Sequence, residues 1–336
     1  MSAQLPACQL LERQRKDYST HWVITPPVDP WLVEQTVGAV SGDLGVVKTW
    51  EARGKPGYSP FALPVAPGEL VSTPMERAVL FWPKAHQLGV WWLKWLCHVL
   101  PEGAVIEIVG EHQGGIKRVP AFLAEQGMSC AKLDNARRCS LFTTRTVAAS
   151  NPENAWTTLA AEGLELVSHP GVFGHGKVDE GTQLLLESLE STLPSAPQRI
   201  LDMGCGDGII SAWLAKRGHQ ITAVDVSDFA VEATKRTLTA NGLTGRVLQS
   251  DVYSALTGEA FDLIISNPPF HQERDISYGP SQRLISEAPE HLRSGGRLVM
   301  VANGFLPYPD HLQRAFQDFQ VLSDNRRFKV YAANNR

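Results

Sequence analysis

The pattern of apolar and polar positions changes its period several times between Gln198 and the C-terminus. Short apolar runs predict strands at 199–203, 221–226, 246–252, 261–266 and 297–303, followed by two more at 320–324 and 327–333. Stretches with helical spacing separate them, and Pro289 predicts a break in the stretch that covers 280–293. This alternation predicts an α/β fold, with a parallel, doubly wound sheet and helices on both of its faces.

The first half of the chain carries a weaker copy of the same pattern. Residues 80–84 and 100–111 align with residues 265–269 and 292–303, and a helical stretch joins the two blocks in each half. Such a correspondence is typical of a repeat at the scale of a domain. The sequence therefore predicts two tandem domains of the same doubly wound class, at residues 1–165 and 166–336.

Length and charge fit this organisation. The 336 residues suffice for two domains that each bury a core. The net charge is −4, and neither half is basic: 15 Lys+Arg oppose 16 Asp+Glu in residues 1–168, and 16 oppose 19 in residues 169–336. A nucleic-acid partner would therefore have to be held by local basic patches and by shape.

Cysteine usage and apolar runs bear on the cellular compartment. The five cysteines form no Cys-x-x-Cys pair, so neither a disulfide framework nor a zinc site is expected. The first residues of the chain have no apolar run typical of a signal peptide, and the longest apolar stretch, 89–100, is too short for a bilayer. We expect a cytoplasmic protein with no metal and no membrane partner.

A glycine-rich loop follows the strand at 199–203. Asp202, Gly204, Gly206 and Gly208 form an acidic-x-G-x-G-x-G pattern in which glycines let the backbone turn tightly and approach a ligand closely. A nicotinamide-binding loop would need a glycine where Ile209 stands. The pattern resembles the motif of class I S-adenosylmethionine-dependent methyltransferases. That resemblance implies that the loop passes beneath the amino-acid part of the cofactor and that the acidic residue helps to hold it.

Two more carboxylates end the next two predicted strands. Asp225 is placed where a carboxylate can accept hydrogen bonds from both ribose hydroxyls. Asp251, followed by Val252, ends the third strand, where the resemblance implies recognition of the adenine. An open α/β sheet binds its ligand at the carboxyl ends of its strands. The sequence therefore predicts an S-adenosylmethionine site built from three successive strand ends.

The tetrapeptide Asn267-Pro268-Pro269-Phe270 follows the fourth predicted strand. It resembles the signature of methyltransferases that act on planar nitrogen, whose delocalised lone pair attacks poorly. We predict that the Asn267 side-chain carbonyl and the Pro268 main-chain carbonyl accept the two N–H bonds of an exocyclic amine, which favours a pyramidal, nucleophilic nitrogen. Asn267, Pro268 and Phe270 are thus candidate catalytic residues, and Pro269 and Phe270 are expected to contact a flipped-out base.

The first half lacks both motifs. Residues 1–79 contain no acidic-x-G-x-G-x-G loop, and Trp82 stands where the second half has Asn267. We expect a degenerate first domain that binds no cofactor and serves RNA docking or structural support. Its aromatic helical run is expected in the core and comprises Trp91, Trp92, Trp95 and Val99. Its candidates for phosphate contacts are Arg13, Arg15, Lys16, Arg137 and Arg138.

Longer stretches resemble the bacterial 16S ribosomal RNA guanine-N2 methyltransferases of the small-subunit methyltransferase C family. They are residues 135–139, 169–186, 266–271, 294–310 and 327–331. The resemblance implies S-adenosylmethionine as the donor, the N2 amino group of a guanine in 16S rRNA as the acceptor, and the assembled 30S subunit as the substrate form. Residues 169–186 correspond to a region that closes over the cofactor in related enzymes. Phe173, Lys177 and Thr182 are its candidate contacts, Thr182 with the cofactor and Lys177 with the substrate.

Other functions stay open at this point. Sister enzymes that methylate guanine in 23S rRNA share the Asn-Pro-Pro-Phe-His sequence, and protein-glutamine methyltransferases share the tetrapeptide. A dehydrogenase would share the fold and Asp225 but not the glycine spacing. A non-catalytic ribosome-assembly factor would bind subunits without transferring methyl groups.

Overall fold

The structure is a computed structural model that describes residues 2–62, 75–148, 152–268 and 279–336. The chain forms two compact units, Met1–Ala155 and Trp156–Arg336.

The first unit contains a seven-stranded sheet. Its strands are β1 (Trp22–Ile24), β2 (Gly38–Val40), β3 (Gly57–Tyr58), β4 (Arg77–Phe81), β5 (Val105–Glu111), β6 (Ala131–Ala136) and β7 (Cys139–Arg145). Its helices are α1 (Pro6–Glu12), α2 (Pro30–Gln35), α3 (Leu44–Glu51), α4 (His86–Val99) and α5 (Val119–Glu125). The strand order is β3-β2-β1-β4-β5-β7-β6. The first five strands of that order are parallel, and β7 is antiparallel to both of its neighbours.

The second unit begins with a hairpin and continues as another seven-stranded sheet. The hairpin consists of β8 (Thr157–Ala161) and β9 (Leu164–Ser168). The sheet strands are β10 (Arg199–Met203), β11 (Gln220–Asp225), β12 (Arg246–Gln249), β13 (Phe261–Ser266), β14 (Leu292–Asn303), β15 (Gln320–Asp324) and β16 (Phe328–Asn334). The helices are α6 (Glu180–Glu190), α7 (Ile209–Lys216), α8 (Asp228–Ala240), α9 (Gly279–Glu287) and α10 (Tyr308–Phe316). The strand order is β12-β11-β10-β13-β14-β16-β15.

The two sheets have the same strand order, which confirms two tandem domains of one fold. The prediction of a wholly parallel sheet was wrong in one respect, because β16 is antiparallel to β14 and to β15. Only three residues separate β15 from β16, and so short a connection permits a hairpin but not the crossover that parallel neighbours need. Each sheet is therefore mixed, with five parallel strands and an antiparallel pair at one edge.

The predicted division between residues 165 and 166 also needs correction. The hairpin β8–β9 belongs to the second unit, where the Val167 amide donates to Thr237 Oγ1 at 2.9 Å and the Glu165 amide donates to Asn241 Oδ1 at 3.0 Å. Both acceptors lie on or directly after α8. The hairpin thus covers a helix of the second unit, and the division falls after Ala155.

The centre of the second sheet is buried on both faces. On β14, Val299 and Val301 pack with one apolar cluster, while Leu298, Met300 and Ala302 pack with another. Continuous apolar strands of this kind are typical of parallel sheets covered by helices. Burial of each large aliphatic side chain there stabilises the folded state by about 1.5–3 kcal/mol. This packing holds the strands rigidly, so the loops at their carboxyl ends start from fixed positions.

Other predicted features are present in the structure, although some elements end at different residues than predicted. The break at Pro289 is confirmed, because α9 ends at Glu287 and a 3-10 turn covers Ala288–His291. The third strand stops at Gln249 and does not reach Val252. The aromatic run on α4 is buried as expected. Among the described residues no helix is long and apolar enough to cross a membrane.

Candidate active site

Three strand ends of the second unit meet at one edge of its sheet. Met203 on β10 pairs with Val224 on β11 and with Ser266 on β13. Because these strands are parallel, the residues that follow them leave the sheet on the same side. The glycine loop, Asp225 and Asn267 are thereby brought together at the carboxyl edge.

The glycine loop has the backbone conformation that its sequence predicts. Gly204, Gly206 and Gly208 have φ values of +79°, +57° and +83°, a region that favours glycine. A Cβ added to Gly204 or Gly206 would meet no atom within 4 Å, whereas a Cβ on Gly208 would lie 2.9 Å from the Thr234 backbone. Gly208 therefore permits close packing of α7 on α8, and the open space above the other two is available to a ligand.

Asp225 ties the loop to the end of β11. Its Oδ2 accepts a hydrogen bond from the Gly206 amide at 3.2 Å, and its Oδ1 accepts one from the Ser227 amide at 2.9 Å. A carboxylate oxygen accepts more than one hydrogen bond. Asp225 is half-buried, so it can hold the loop and still accept hydrogen bonds from a ligand.

Asp202 lies beneath the loop and is fully buried. Its Oδ2 accepts a hydrogen bond from Ser211 Oγ at 2.6 Å, while its Oδ1 has no partner in the described part of the chain. Burial raises its pKa to about 7, Ser211 counteracts the increase, and the negative charge of Asp225 adds to it. A buried acceptor without a donor is costly, and a ligand or water that donates to it would remove this cost.

This pKa predicts a pH-dependent stability. In the unfolded chain an aspartate titrates near pH 4. In the folded protein the pKa is higher. The contribution of this carboxyl to folding stability is therefore fully present below pH 4 and is lost as the pH rises through about 7. Without cofactor at pH 8, the free energy of unfolding of the Asp202→Asn variant should therefore be about 2–4 kcal/mol higher than that of the wild type. Urea unfolding at pH 8 and pH 4 measures this, and an equal gain at both pH values would contradict it.

Asp251 and Val252 form a strained turn after β12. The φ of Val252 is +50°, an unfavourable conformation for a β-branched residue. The Ser250 hydroxyl stabilises the turn by donating to the Val252 carbonyl at 2.7 Å. Asp251 forms an ion pair with Arg283 on α9 at 2.9 Å. Strain of this kind occurs at ligand sites, where it places a particular group.

Asn267 has its amide held in one orientation. Its Nδ2 donates to Asp179 Oδ2 at 3.1 Å and to Thr182 Oγ1 at 2.8 Å. Asp179 is the N-cap of α6 and also accepts from the amides of Gly181 and Thr182. With its nitrogen bound to these two acceptors, the amide directs Oδ1 away from them. That oxygen is buried and accepts no hydrogen bond from the described residues.

The remaining predicted site residues differ in their placement. Thr182 contacts the Asn267 amide, which the sequence did not suggest. Phe173 and Lys177 are exposed on the connection that precedes α6. Pro268 is buried directly after Asn267. Pro269 and Phe270 lie outside the described residues.

Sequence reasoning missed three polar partners, namely Asp179, Ser211 and Arg283. Asp179 stands directly before a helical stretch, and that position is typical of an N-cap. A cap indicates where a helix begins but not which distant side chain shares its carboxylate. The other two residues carried no recognisable signal.

In the first unit, the strand end that corresponds to Asn267 carries Trp82. This indole is buried, and a Cβ on Gly89 would lie 2.5 Å from its ring. After β1, the position of the glycine loop is taken by Thr25 and two prolines. Asp29, at the start of α2, is fully buried and accepts hydrogen bonds from the amides of Gln4, Leu5 and Trp31. Where the second unit has an open loop and an oriented amide, the first unit has a helix cap and a packed indole.

The second unit has a doubly wound sheet with an open glycine loop after β10. A carboxylate ends β11, and an oriented Asn-Pro follows β13. Together these features define a class of enzyme. The protein is an S-adenosylmethionine-dependent methyltransferase. Its residues fit this cofactor, since Gly204 and Gly206 leave the space and Asp202 offers an unpartnered acceptor. Comparison with known proteins agrees: residues 163–332 match the methyltransferase small domain, and residues 9–158 match the methyltransferase small domain N-terminal family.

The chain belongs to the ribosomal RNA small subunit methyltransferase C family. It is 54% identical over 337 residues to the protein of that name from Chromohalobacter salexigens, covering 99% of this chain and 98% of the relative. The protein of the same name from Alcanivorax borkumensis is 41% identical over 72% of this chain and 74% of its own length. A solved structure of a 16S rRNA N2 G1207 methyltransferase from T. thermophilus, in complex with AdoMet and guanosine, superposes with a TM-score of 0.85. It has 25% identity and covers 99% of this chain and 92% of that one.

The contrast between the two units leads to a prediction about stoichiometry. Titration of the whole protein with S-adenosylmethionine should give one site per chain, because the first unit has neither the glycine loop nor an acceptor equivalent to Asn267. Isothermal calorimetry measures the stoichiometry directly. A second site that persists when Asp225 is replaced would contradict the expectation that the first unit is degenerate.

Proposed function

We propose that this protein transfers the methyl group of S-adenosylmethionine to the exocyclic N2 amino group of a guanine in 16S rRNA. The single observation that carries the proposal is the Asn267 amide, whose oriented Oδ1 is a buried acceptor awaiting a donor. Family membership supports the choice of RNA, and the neighbour solved with guanosine supports the choice of base.

The cofactor would be held by residues at the three strand ends. The open backbone at Gly204 and Gly206 leaves room for its amino-acid part, Asp202 offers an acceptor beneath it, and Asp225 offers acceptors to the ribose hydroxyls. Asp251 and the strained Val252 follow the third strand, where the family resemblance implies the adenine. When bound, S-adenosylmethionine supplies a methyl group activated by a positively charged sulfur.

Asn267 and Pro268 would prepare the substrate amine. An amino group on guanine shares its lone pair with the ring and is a weak nucleophile. Two acceptors, Asn267 Oδ1 and the Pro268 carbonyl, bind its two N–H bonds and favour a pyramidal nitrogen whose lone pair is localised. Because Asp179 and Thr182 already fix the amide, little reorganisation is needed as the nitrogen changes shape. No strong base is required, since the methylated nitrogen is cationic and loses its proton readily.

Other groups would position the RNA. Phe270 and Pro269 remain the predicted platform for the flipped-out base, and Lys177 and Phe173 are exposed near the start of α6, where they can reach a substrate. The first unit would serve RNA docking or structural support. We further propose that the assembled 30S subunit is the substrate form and that the protein acts in the cytoplasm.

Methyl transfer to defined substrates tests the proposal. The protein is incubated with labelled S-adenosylmethionine and with 30S subunits, 50S subunits, naked 16S rRNA or a glutamine-containing peptide, and the methylated product is identified after digestion. We expect N2-methylguanosine from 16S rRNA, with 30S subunits as the best substrate. Label only in 50S subunits or in peptide would replace the proposed substrate. Subunit binding without any transfer would identify an assembly factor.

A further inference from the structure

Both units carry a pair of neighbouring arginines in the same turn. The last two strands of the first sheet are joined at Arg137-Arg138, after Asp134-Asn135. The last two strands of the second are joined through Asn325-Arg326-Arg327, after Asp324. We call residues 134–139 and 324–328 the N-terminal tip and the C-terminal tip. The first unit has lost the glycine loop and the Asn267 equivalent, yet it retains this Asp-Asn and Arg-Arg signature.

The arginines occupy turn positions that do not suit them. The φ values of Arg137, Arg138 and Arg326 are +52°, +60° and +72°. Hairpin turns with positive φ are normally occupied by glycine, asparagine or aspartate, because other side chains are strained there. Keeping arginine at three such positions is unfavourable for folding, which suggests that the side chains are retained for another role.

Each tip lies at the carboxyl edge of its sheet. Cys139 on β7 is opposite Glu111, the last residue of β5, and Phe328 on β16 is opposite Asn303, the last residue of β14. This is the edge at which the second unit holds the glycine loop and Asn267.

The C-terminal tip is also connected to the start of α6. Arg327 Nη1 forms an ion pair with Glu180 Oε2 at 2.6 Å, and Asn325 Nδ2 donates to Glu180 Oε1 at 3.3 Å. Glu180 follows Asp179, whose carboxylate accepts from the Asn267 amide. Arg327 thus ties the tip to the residue that follows Asp179, and Arg326 is the exposed neighbour of Arg327 in this turn.

The charges at the tips are available to a partner. Arg137, Arg138 and Arg326 are exposed, and within the described ranges none of them forms an ion pair. Asp324 is close to Arg326, but its carboxylate pairs with Lys329 at 3.3 Å. The planar guanidinium group binds phosphate oxygens through two parallel hydrogen bonds. In a chain with a net charge of −4, such local cations are the means by which RNA can be held.

We propose that the two tips are RNA-backbone contacts: Arg137 and Arg138 in the first unit and Arg326 in the second bind phosphate groups of the RNA substrate. The inference rests on the proposed function for its choice of RNA. It assigns to the first unit a definite docking element, and in the second unit it places a phosphate contact at the same sheet edge as the catalytic amide. Since phosphate contacts are the same before and during the reaction, they set binding and not the chemical step.

The test uses the full-length protein and, in each unit, compares a tip variant with a control variant. The tip variants are Arg326→Gln and the double variant Arg137→Gln/Arg138→Gln. The controls are Arg145→Gln, at the opposite end of β7, and Arg336→Gln, two residues after β16; both arginines are exposed. Affinity for 16S rRNA is measured at several salt concentrations, and KM and kcat are measured with 30S subunits.

We expect each tip variant to weaken RNA binding by about tenfold and to raise KM more than it lowers kcat. The slope of log affinity against log salt should fall by about one for each phosphate contact removed. The controls should behave as the wild type. Tip variants that bind RNA like the controls, with an unchanged salt slope, would overturn the inference. If the wild type binds RNA but transfers no methyl group, the proposed function fails while the binding result still decides on the tips.

A further variant separates binding from folding. Arg326→Gly removes the side chain and suits the positive φ, so the melting temperature should stay equal or rise while RNA affinity falls. A parallel loss of melting temperature and affinity would mean that Arg326 acts through the fold, and the proposal for the C-terminal tip would be wrong.

Discussion

Asn267→Ala is expected to lower kcat for methyl transfer by about 10²–10³-fold while leaving the Kd for S-adenosylmethionine near that of the wild type. Removal of one preorganised polar group from a transition-state site costs about this much. The Oδ1 acceptor matters most as the amine becomes pyramidal, so its loss affects the chemical step more than ground-state binding. Single-turnover kinetics with saturating cofactor and subunits measure the effect.

Thr182→Val provides a matched comparison for this prediction. Valine keeps the shape of threonine and the cap by Asp179, but the Asn267 Nδ2 loses its acceptor at 2.8 Å. The amide is then less firmly oriented, and kcat should fall by roughly tenfold. If Thr182 is instead a cofactor ligand, as the sequence predicted, the Kd for S-adenosylmethionine will rise and kcat at saturation will not change. Wild-type turnover in Asn267→Ala would remove this residue from the mechanism.

Asp225→Ala is expected to weaken S-adenosylmethionine binding by about 10²-fold. The substitution removes acceptors for the ribose hydroxyls and also leaves the amides of Gly206 and Ser227 without their partner, so the loop loses its tie to β11. Ribose contacts are equal in the ground and transition states, so kcat at saturating cofactor should change much less. Calorimetry gives the Kd, and steady-state rates give the comparison.

Asp225→Asn separates the two functions of this side chain. Asparagine retains one acceptor oxygen, so part of the affinity should remain. Thermal unfolding of both variants without cofactor serves as the control, since a collapsed loop would lower the melting temperature as well as the affinity. An unchanged Kd in Asp225→Ala would mean that the ribose site lies elsewhere.

Local sequence was sufficient where the relevant physics is local. Glycine is needed wherever φ is positive, so the acidic-x-G-x-G-x-G pattern predicted the backbone of the 204–208 loop. Continuous apolar runs predicted β10, β11, β13 and β14, because strands buried on both faces contain few polar residues. The rule that ligands bind at the carboxyl ends of the strands then predicted where the site lies, whereas the strand order β12-β11-β10-β13-β14-β16-β15 comes from the structure alone.

Local sequence was insufficient where two distant segments share one group. The Asn267 amide is oriented by residues 85 and 88 positions earlier in the chain, and no periodicity connects them. The Asp251–Arg283 pair is likewise a product of the fold. The hairpin β8–β9 was missed because its short strands lie in the connection between the two halves, and its contacts with α8 decide to which unit it belongs.

The packing around Trp82 opposes its replacement by the asparagine that the second half has at the equivalent position. Restoring asparagine there would leave a void the size of an indole, and large-to-small changes of this kind typically cost about 3–5 kcal/mol. Gly89 and Gly110 have no side chains with which to fill it, because a Cβ at either would lie within 3.0 Å of Trp82. Several coordinated substitutions would be required before any of them gave a benefit. Trp82→Asn alone is therefore expected to destabilise the first half without giving it a cofactor site.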